Sequence, residues 1–382
     1  MGVVVLVTGV ARQLGARFVA EVRRRPDVDL VVGVDVQPPG RPVEDPDGPA
    51  APYRFHQLDL RRPAVARVIA EHGVDTVVHL SVSATGLGST NRSAVKESNV
   101  IGTMQLLGAC QKAPGVRRLV VKSTTGVYGS APRDPAVFTE RIQPKNPPGG
   151  GFAKDAAEVE GYVRGFARRR PDVAVTVLRF ANIVGPAADT PLSEYFALPV
   201  LPTVLGYDPR LQFVHEDDAV AVLCRAAGEP APGTVNTGTF NVAGDGVLLL
   251  SQCARRLGRP TLPLLLPAVS WMAGLARQTR LVDVSAEQLR LLTHGRVVDT
   301  TRLRETFGYR PAFTTPEAFA DFAAARGPGL LPPERLAAVT DRLTGLLGPE
   351  AGPADRDRSA RGRTARDRAD RDRTDRPTRP RS

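Results

Sequence analysis

The sequence predicts an α/β protein, a doubly wound parallel sheet with a smaller irregular C-terminal lobe and a disordered tail. In the first half, short β-branched runs alternate with longer stretches of helical spacing, which is typical of strands buried on both faces between crossover helices. After about residue 186, prolines and glycines break this alternation into short pieces. From about residue 348, repeated Asp-Arg pairs leave too few apolar residues to offset the entropy of ordering.

The apolar runs predict the strands of the sheet in chain order: Val3–Val7, Leu30–Val34, Val74–Leu80, Leu119–Val121 and Val173–Leu178. The stretches between them predict the helices: Leu14–Arg25, Pro63–Glu71, Val95–Gln111 and Ala153–Arg169. The loss of the regular alternation after about residue 186 predicts a first domain over 1–185 and a substrate-binding lobe, interwoven with it, over 186–330. A terminal helical extension over 331–347 and a disordered Arg/Asp-rich tail over 348–382 follow.

Composition excludes several function classes. The 382 residues carry a net charge of +11, but eleven Arg and six Asp of the tail, 353–382, supply +5 of it. Basic residues nowhere cluster with aromatic ones, so nucleic-acid binding is not expected. No apolar stretch is long enough to span a bilayer, and no histidines have ligand spacing, so neither a membrane segment nor a metal site is expected. Three well-separated cysteines predict a reducing, cytoplasmic environment.

A glycine-containing turn joins the first predicted strand to the first predicted helix. Gly9 suits the tight turn and close approach of the backbone to a pyrophosphate, and Gly15 allows the helix to pack on the strand. Asp35 closes the second strand, 20 residues after Gly15, where a carboxylate accepts hydrogen bonds from ribose hydroxyls and favours NAD over NADP. The pattern therefore predicts a Rossmann-like NAD site; the alternative is a plain strand-to-helix turn with a surface aspartate.

Further segments follow this turn in a fixed order: Leu58-Asp59-Leu60, Val77–Ser81, Asn99–Thr103, Ser123–Gly129, Arg179–Pro186, Phe213–Ala219 and Phe307–Pro311. Together with Gly9 and Gly15, they resemble the NAD-dependent epimerase/dehydratase family of extended short-chain dehydrogenases/reductases, which includes UDP-glucose 4-epimerase. The resemblance covers roughly residues 1 to 325.

The resemblance implies a role for each matching position. Thr124 and Lys154 are the implied catalytic residues, and Asn182 is the implied contact to the substrate. The implied cofactor contacts are Gly9, Arg12, Leu14, Gly15, Asp35, Asp59, Leu60, Leu80, Ser81, Asn99 and Lys154. The implied partners are NAD, a small-molecule substrate and a second copy of the chain, paired through the helices at 95–111 and 153–169.

Two positions depart from the family's pattern. Arg12 stands where the family has the middle glycine of the phosphate loop, so its side chain either crowds the pyrophosphate or pairs with it. Gly150 stands four residues before Lys154, where the family has its catalytic tyrosine. That phenol exchanges the hydroxyl proton during hydride transfer and contributes about 10²–10⁴-fold, which glycine cannot supply.

Two functions remain open on these grounds. One is an NAD-dependent oxidoreductase of the epimerase/dehydratase kind, acting by hydride transfer on a nucleotide sugar or another alcohol or carbonyl substrate. The other is a non-catalytic NAD-binding sensor or scaffold that has lost the tyrosine.

Overall fold

Parallel strands form the centre of the structure, a computed structural model that describes residues 2–40, 50–84, 92–142, 148–265 and 286–327. The seven strands are β1 (Val3–Thr8), β2 (Val28–Asp35), β3 (Tyr53–Gln57), β4 (Thr76–His79), β5 (Arg118–Thr124), β6 (Ala174–Phe180) and β11 (Gly238–Val242). Their spatial order is β11-β6-β5-β4-β1-β2-β3. Because the order reverses direction between β1 and β4, a crevice opens there at the carboxyl ends of the strands.

Helices cover both faces of this sheet. They are α1 (Gln13–Val22) and α6 (Glu216–Ala226) on one face, and α2 (Val65–His72), α3 (Arg92–Lys112) and α4 (Gly151–Arg169) on the other. Each face has its own apolar core, to which alternate residues of the strands contribute: Val120 packs on the α1 side, whereas Leu119 and Val121 pack on the α4 side. Burial on both faces explains why the strands read as continuous apolar runs.

The other elements are short. They are a 3₁₀ turn (Thr125–Tyr128), β7 (Asn182–Val184), α5 (Pro191–Ala197), β8 (Leu201–Val204), β9 (Arg210–Leu211), β10 (Phe213–His215), β12 (Leu248–Leu249), α7 (Leu250–Arg256), β13 (Thr261–Leu264), α8 (Ala286–His294), α9 (Thr301–Glu305) and α10 (Thr315–Ala325). Six of the strands pair into two-stranded sheets, β10 with β7, β12 with β9 and β13 with β8. A third apolar core, rich in phenylalanine, holds α5, α7 and α10 together.

The predicted fold class is confirmed, since the central sheet is parallel throughout and covered by helices on both faces. Strand β3 was not predicted, because it lies at the sheet edge and its residues, which include Arg54, His56 and Gln57, are all half-buried or exposed. Strand β11 lies beyond residue 186 and still joins the main sheet. The boundaries at 185 and 330 stay predictions, and the segments 331–347 and 348–382 lie outside the described residues.

Candidate active site

A cleft of about 420 Å³ lies at the carboxyl ends of the central strands. One wall consists of the glycine turn and the start of α1, and the floor includes the ends of β5 and β6. The start of α4, the segment 180–194 and helix α8 complete the enclosure. A smaller pocket of about 60 Å³ shares Gly9 and Arg12 with the cleft and extends toward the end of β2. The two spaces together follow the edge of the sheet from β2 to β6.

At Gly9 and Gly15 the backbone lies too close to neighbouring backbone atoms for a residue with a side chain. Gly9 has a φ of +81°, and a Cβ there would lie 2.8 Å from the amide nitrogen of Ser81. A Cβ on Gly15 would collide with the carbonyl oxygen of Gly9, so the first turn of α1 packs directly on the loop. Leu14 and Gly15 line the cleft. The backbone is thereby held where a phosphate group can reach the amides at the start of a helix.

Arg12 precedes α1 in an extended conformation and lines both the cleft and the smaller pocket. Burial lowers the pKa of its guanidinium, and the carboxylates of Asp35 and Asp189 act in the opposite direction. The side chain therefore lies between two acidic groups, and open space remains on either side of it.

Asp35 ends β2 and lines the smaller pocket. Its carboxylate accepts hydrogen bonds from the amides of Ala11 at 3.0 Å and Val36 at 2.7 Å, which tie the glycine turn to the strand. Burial raises the pKa of this carboxyl, while the two amides and Arg12 lower it. A carboxylate has about four acceptor positions, so Asp35 retains capacity for ribose hydroxyls.

The remaining predicted contacts around the smaller pocket divide into two groups. Leu60, Ser81 and Asn99 line it, and Leu80 lines the main cleft. Asp59 lines neither space, because its carboxylate pairs with Arg61 at 2.6 Å, which also lowers its pKa. The structure thus does not bring Asp59 to the predicted cofactor site, although the leucine beside it is there.

The side-chain amide of Asn99 forms hydrogen bonds within the protein. It exchanges two hydrogen bonds with the backbone of Ser83, at 3.1 and 2.9 Å, and donates a third to Asp155 at 3.1 Å. Asn99 therefore fixes the segment that follows β4 and shapes the pocket through its position.

Thr124 lies at the end of β5 and lines the cleft. Its hydroxyl accepts a hydrogen bond from the amide of Gly126 at 3.0 Å and so caps the 3₁₀ turn. A hydroxyl that accepts one bond can still donate its own hydrogen. Ser123 points the other way and donates to Glu160 at 2.6 Å, so the two neighbouring hydroxyls serve different sides of the sheet.

The structure does not bring Lys154 into the cleft. Successive residues of an α-helix are turned by about 100°, and the cleft side of the first turn of α4 is taken by Gly151 and Phe152. Lys154 is exposed and lines neither space. Its neighbour Asp155 is buried instead, where it accepts a hydrogen bond from Arg92 at 2.7 Å.

Sequence reasoning missed Glu287, an acidic residue of α8 whose carboxylate lies against the start of α4. Its carboxylate accepts a hydrogen bond at 2.9 Å from the amide of Ala153, in the first turn of that helix. A Cβ on Gly126 or Gly151 would come within 2.9 or 3.0 Å of the carboxylate oxygens. Gly126 and Gly151 therefore leave room for this carboxylate, whereas a Cβ on Gly149 or Gly150 would meet nothing within 4 Å.

Comparison with known proteins decides the family. The family model for the NAD dependent epimerase/dehydratase family matches residues 5–243. An uncharacterized protein of Mycobacterium tuberculosis is 46% identical over 346 residues, which is 90% of this chain and 89% of its own length. The chain belongs to the NAD-dependent epimerase/dehydratase family. The resemblance seen in the sequence is confirmed, and NAD is the cofactor of this family, as predicted.

Solved members of the epimerase/dehydratase family share the fold. UDP-glucose 4-epimerase of Thermotoga maritima, solved with UDP-glucose, aligns with a TM-score of 0.62 at 19% identity, over 84% of this chain and 98% of that one. UDP-glucose 4-epimerase of Thermus thermophilus, solved with NAD, aligns with the same TM-score at 21% identity, over 85% and 98%.

The residues present in this epimerase/dehydratase chain fit NAD. The turn at Gly9 is a cradle that a Cβ would fill, and the carboxylate of Asp35 lies beside the smaller pocket. Part of the pocket wall is apolar and suits a base; it consists of Val36, Leu58, Leu60 and Val95. Within the described ranges no three His, Cys, Asp or Glu lie together in a way that could hold a metal ion.

The far end of the cleft is polar. Asn182 begins β7 and lines the cleft, and its side chain makes no hydrogen bond to the described residues. Arg296 is buried, donates to the carbonyl oxygen of Gly129 at 3.0 Å, and lines both the cleft and a further cavity of about 180 Å³. Burial lowers the pKa of its guanidinium. None of the helices described is both long and apolar enough to cross a membrane.

Proposed function

We propose that this chain is an oxidoreductase that transfers hydride between NAD and a carbinol carbon of a nucleotide sugar. One observation carries the proposal: a single cleft runs from the glycine turn past Thr124 to Asn182 and Arg296. A cofactor held by the turn and a substrate held at the far end would therefore meet beside the Thr124 hydroxyl. Bound NAD supplies the hydride chemistry.

The residues of the chain have distinct tasks in this proposal. The Thr124 hydroxyl donates a hydrogen bond to the reacting oxygen of the substrate and orients it. When the carbinol is oxidised, its hydroxyl proton passes to water, since none of the described residues that line the cleft is a tyrosine. Phe152 gives an apolar wall that excludes water from the reacting carbon. Arg296, with its planar fork of donors, suits the diphosphate of a nucleotide sugar, and Asn182 offers an amide to the same group.

The substrate class rests on relatives as well as on chemistry. The Thermotoga maritima enzyme was solved with UDP-glucose and shares the fold over 84% of this chain. A guanidinium buried at the end of a cleft needs an anion to offset the cost of its desolvation. A diphosphate meets that need and is common to all nucleotide sugars.

The test begins with titration of the purified chain with NADH and NADPH, followed by nicotinamide fluorescence. We expect NADH to bind more tightly than NADPH. The protein is then loaded with NAD and mixed with UDP-sugars, and absorbance at the NADH maximum is recorded together with product analysis by mass spectrometry. Turnover that falls at least tenfold in Thr124→Val supports the proposal; NADH that fails to bind overturns it.

The second candidate is a non-catalytic NAD-binding sensor or scaffold. It is favoured by the cleft itself, since none of the described residues that line it is a tyrosine. Tyr128 cannot stand in, because it is buried and its hydroxyl is bound to Asn241 at 2.8 Å and Arg179 at 2.7 Å. Tight NADH binding without reduction of bound NAD by any UDP-sugar would select this candidate.

We also propose that the chain forms a homodimer, as the family resemblance implies. Helices α3 and α4 pack against each other. Ile101 and Met104 on α3 and Tyr162 on α4 are 41%, 46% and 40% exposed, which is high for apolar residues of long helices. A second copy of the same helix pair would cover them, and we expect this dimer to work in the cytoplasm.

A further inference from the structure

Lys122 is a basic residue within the apolar run of β5. Side chains alternate along a strand, so Lys122 shares a face with Val120 and Thr124, whereas Ser123 points to the opposite face toward α4. Lys122 lines the cleft together with Gly9 and Arg12. A lysine thus stands between the glycine turn and Thr124.

The ammonium group of Lys122 makes no hydrogen bond or ion pair with the described residues. Two other charged groups at the cleft do have hydrogen-bond partners: Glu287 accepts from the amide of Ala153, and Arg92 donates to the buried Asp155. A half-buried ammonium without a partner loses hydration and gains nothing in return. A ligand that brings an anionic oxygen into the cleft would supply that partner.

We propose that Lys122 is the cofactor-contacting lysine of this chain, that its ammonium form pairs with the bound dinucleotide, and that any neutral amine present takes up a proton as the dinucleotide binds. The inference rests on the proposed use of the cleft by NAD. The positive charge that contacts the cofactor thus lies on β5, whereas the sequence resemblance implied Lys154 on α4.

The surroundings of Lys122 make this charge sensitive to pH. Burial, and then the charge of Arg12, lower the pKa of its ammonium to about 8. His79, on the adjacent strand β4, contributes no charge, because burial and Lys122 lower its pKa to about 3. The other charged side chains that line the cleft are Arg17, Arg92, Asp189, Glu194, Glu216, Glu287 and Arg296.

The sign of the effect follows from linkage. Lys122 is charged below its pKa, and a diphosphate favours the charged form, so binding raises the pKa and takes up a proton. The apparent dissociation constant for NADH should stay constant below about pH 8 and then rise about tenfold per pH unit, until the pKa of the bound state is reached.

The first measurement is the dissociation constant of NADH from pH 7 to pH 9.5 at constant ionic strength. We expect NADH binding by the wild-type chain to weaken about tenfold or more over this pH range, as linkage requires. Lys122→Met should bind NADH weakly at pH 7, with a dissociation constant that does not change with pH. Lys122→Arg stays charged and should bind NADH tightly, again with a dissociation constant that does not change with pH. Lys112→Met, which removes an exposed charge at the end of α3, is the matched control and should follow the wild type.

The second measurement reads the lysine directly. The chain has only five lysines, so reductive methylation with ¹³C-formaldehyde gives five side-chain signals in an NMR spectrum. The signal that Lys122→Arg removes should titrate near pH 8 in the free protein and move to higher pH when NADH is added. The Lys154 signal should not move.

Two results overturn the inference. A pH profile of Lys122→Met that parallels the wild type, or a Lys122 signal that NADH leaves unchanged, shows that this lysine does not meet the cofactor. Either result leaves the proposed function intact if the wild type binds NADH and turns over a UDP-sugar. Absence of NADH binding by the wild type at every pH overturns both.

Discussion

The ion pair between Glu160 of α4 and Arg179 of β6 offers a demanding test of the packing beneath the site. Arg179 donates to the two carboxylate oxygens at 2.9 and 2.6 Å, and the side chains are only 11% and 4% exposed. The same guanidinium donates to Tyr128, and Ser123 donates to Glu160. The pair therefore connects α4 and β6 with the residues that flank Thr124.

Glu160→Gln should destabilise the protein strongly. The variant leaves a buried guanidinium without its counter-charge, and removing one partner of such a pair costs about 3–5 kcal/mol. The contact of Glu160 with Arg164, at 3.5 Å, adds little, because the Arg164 side chain is exposed and pairs with a hydrated partner contribute about 0–1 kcal/mol. Urea denaturation followed by circular dichroism measures the loss, expected as a fall of about 1 M or more in the midpoint.

Two variants give this prediction its controls. Glu158→Gln lies on the same helix, two residues earlier, and its carboxylate is 32% exposed and 3.8 Å from Lys96; we expect a change within about 0.5 kcal/mol. The double variant Glu160→Leu, Arg179→Met replaces the pair by apolar groups and should recover much of the loss, though Ser123 is left without an acceptor. A Glu160→Gln variant as stable as Glu158→Gln would show that the pair is well hydrated and would refute the reasoning.

Three further predictions concern the loop, the buried histidine and the exposed helix face. Gly15→Ala should destabilise by about 1–3 kcal/mol through overpacking against Gly9 and abolish NADH binding; normal binding by fluorescence would contradict it. The pKa of His79 in the fold, about 3, lies below its unfolded value, so unfolding takes up a proton as pH falls below 6.5. Stability should therefore drop by up to about 1.4 kcal/mol per pH unit between pH 6 and 4, with a smaller slope in His79→Gln. Met104→Glu should convert the dimer to a monomer in size-exclusion chromatography with light scattering, which Lys112→Glu should not do.

The parts of the site that are local in sequence were predictable. Gly9, Gly15 and Asp35 lie within one strand-helix-strand unit, where the spacing alone brings the turn to the end of the second strand. Because most of the strands are buried on both faces, they could be identified in the sequence as continuous apolar runs. Two strands of the central sheet were missed. Strand β3 is an edge strand with half-exposed polar residues and lacks that signature, and β11 lies beyond residue 186, where prolines and glycines interrupt the alternation.

The parts that depend on register or on distant segments were not predictable. Lys154 was implied by the family resemblance, but the direction of its side chain depends on how α4 is rotated against the sheet, and the helix turns Asp155 inward instead. Lys122 did leave a signal in the sequence, because it lies two residues before Thr124 and so on the same face of β5. A lysine in an apolar run, however, matches no motif. Glu287 and Arg296 reach the cleft from more than a hundred residues away.

The hydrogen bond between Glu287 and the amide of Ala153 has a consequence for the order of biosynthesis. The two residues are 134 positions apart, and a ribosome that adds about 5–20 residues per second needs many seconds to cover that interval. Until position 287 emerges, the first turn of α4 has no side chain to cap it, although the strands on either side are already complete. A nascent chain can therefore assemble its sheet early, while the entrance to the cleft is finished late in translation.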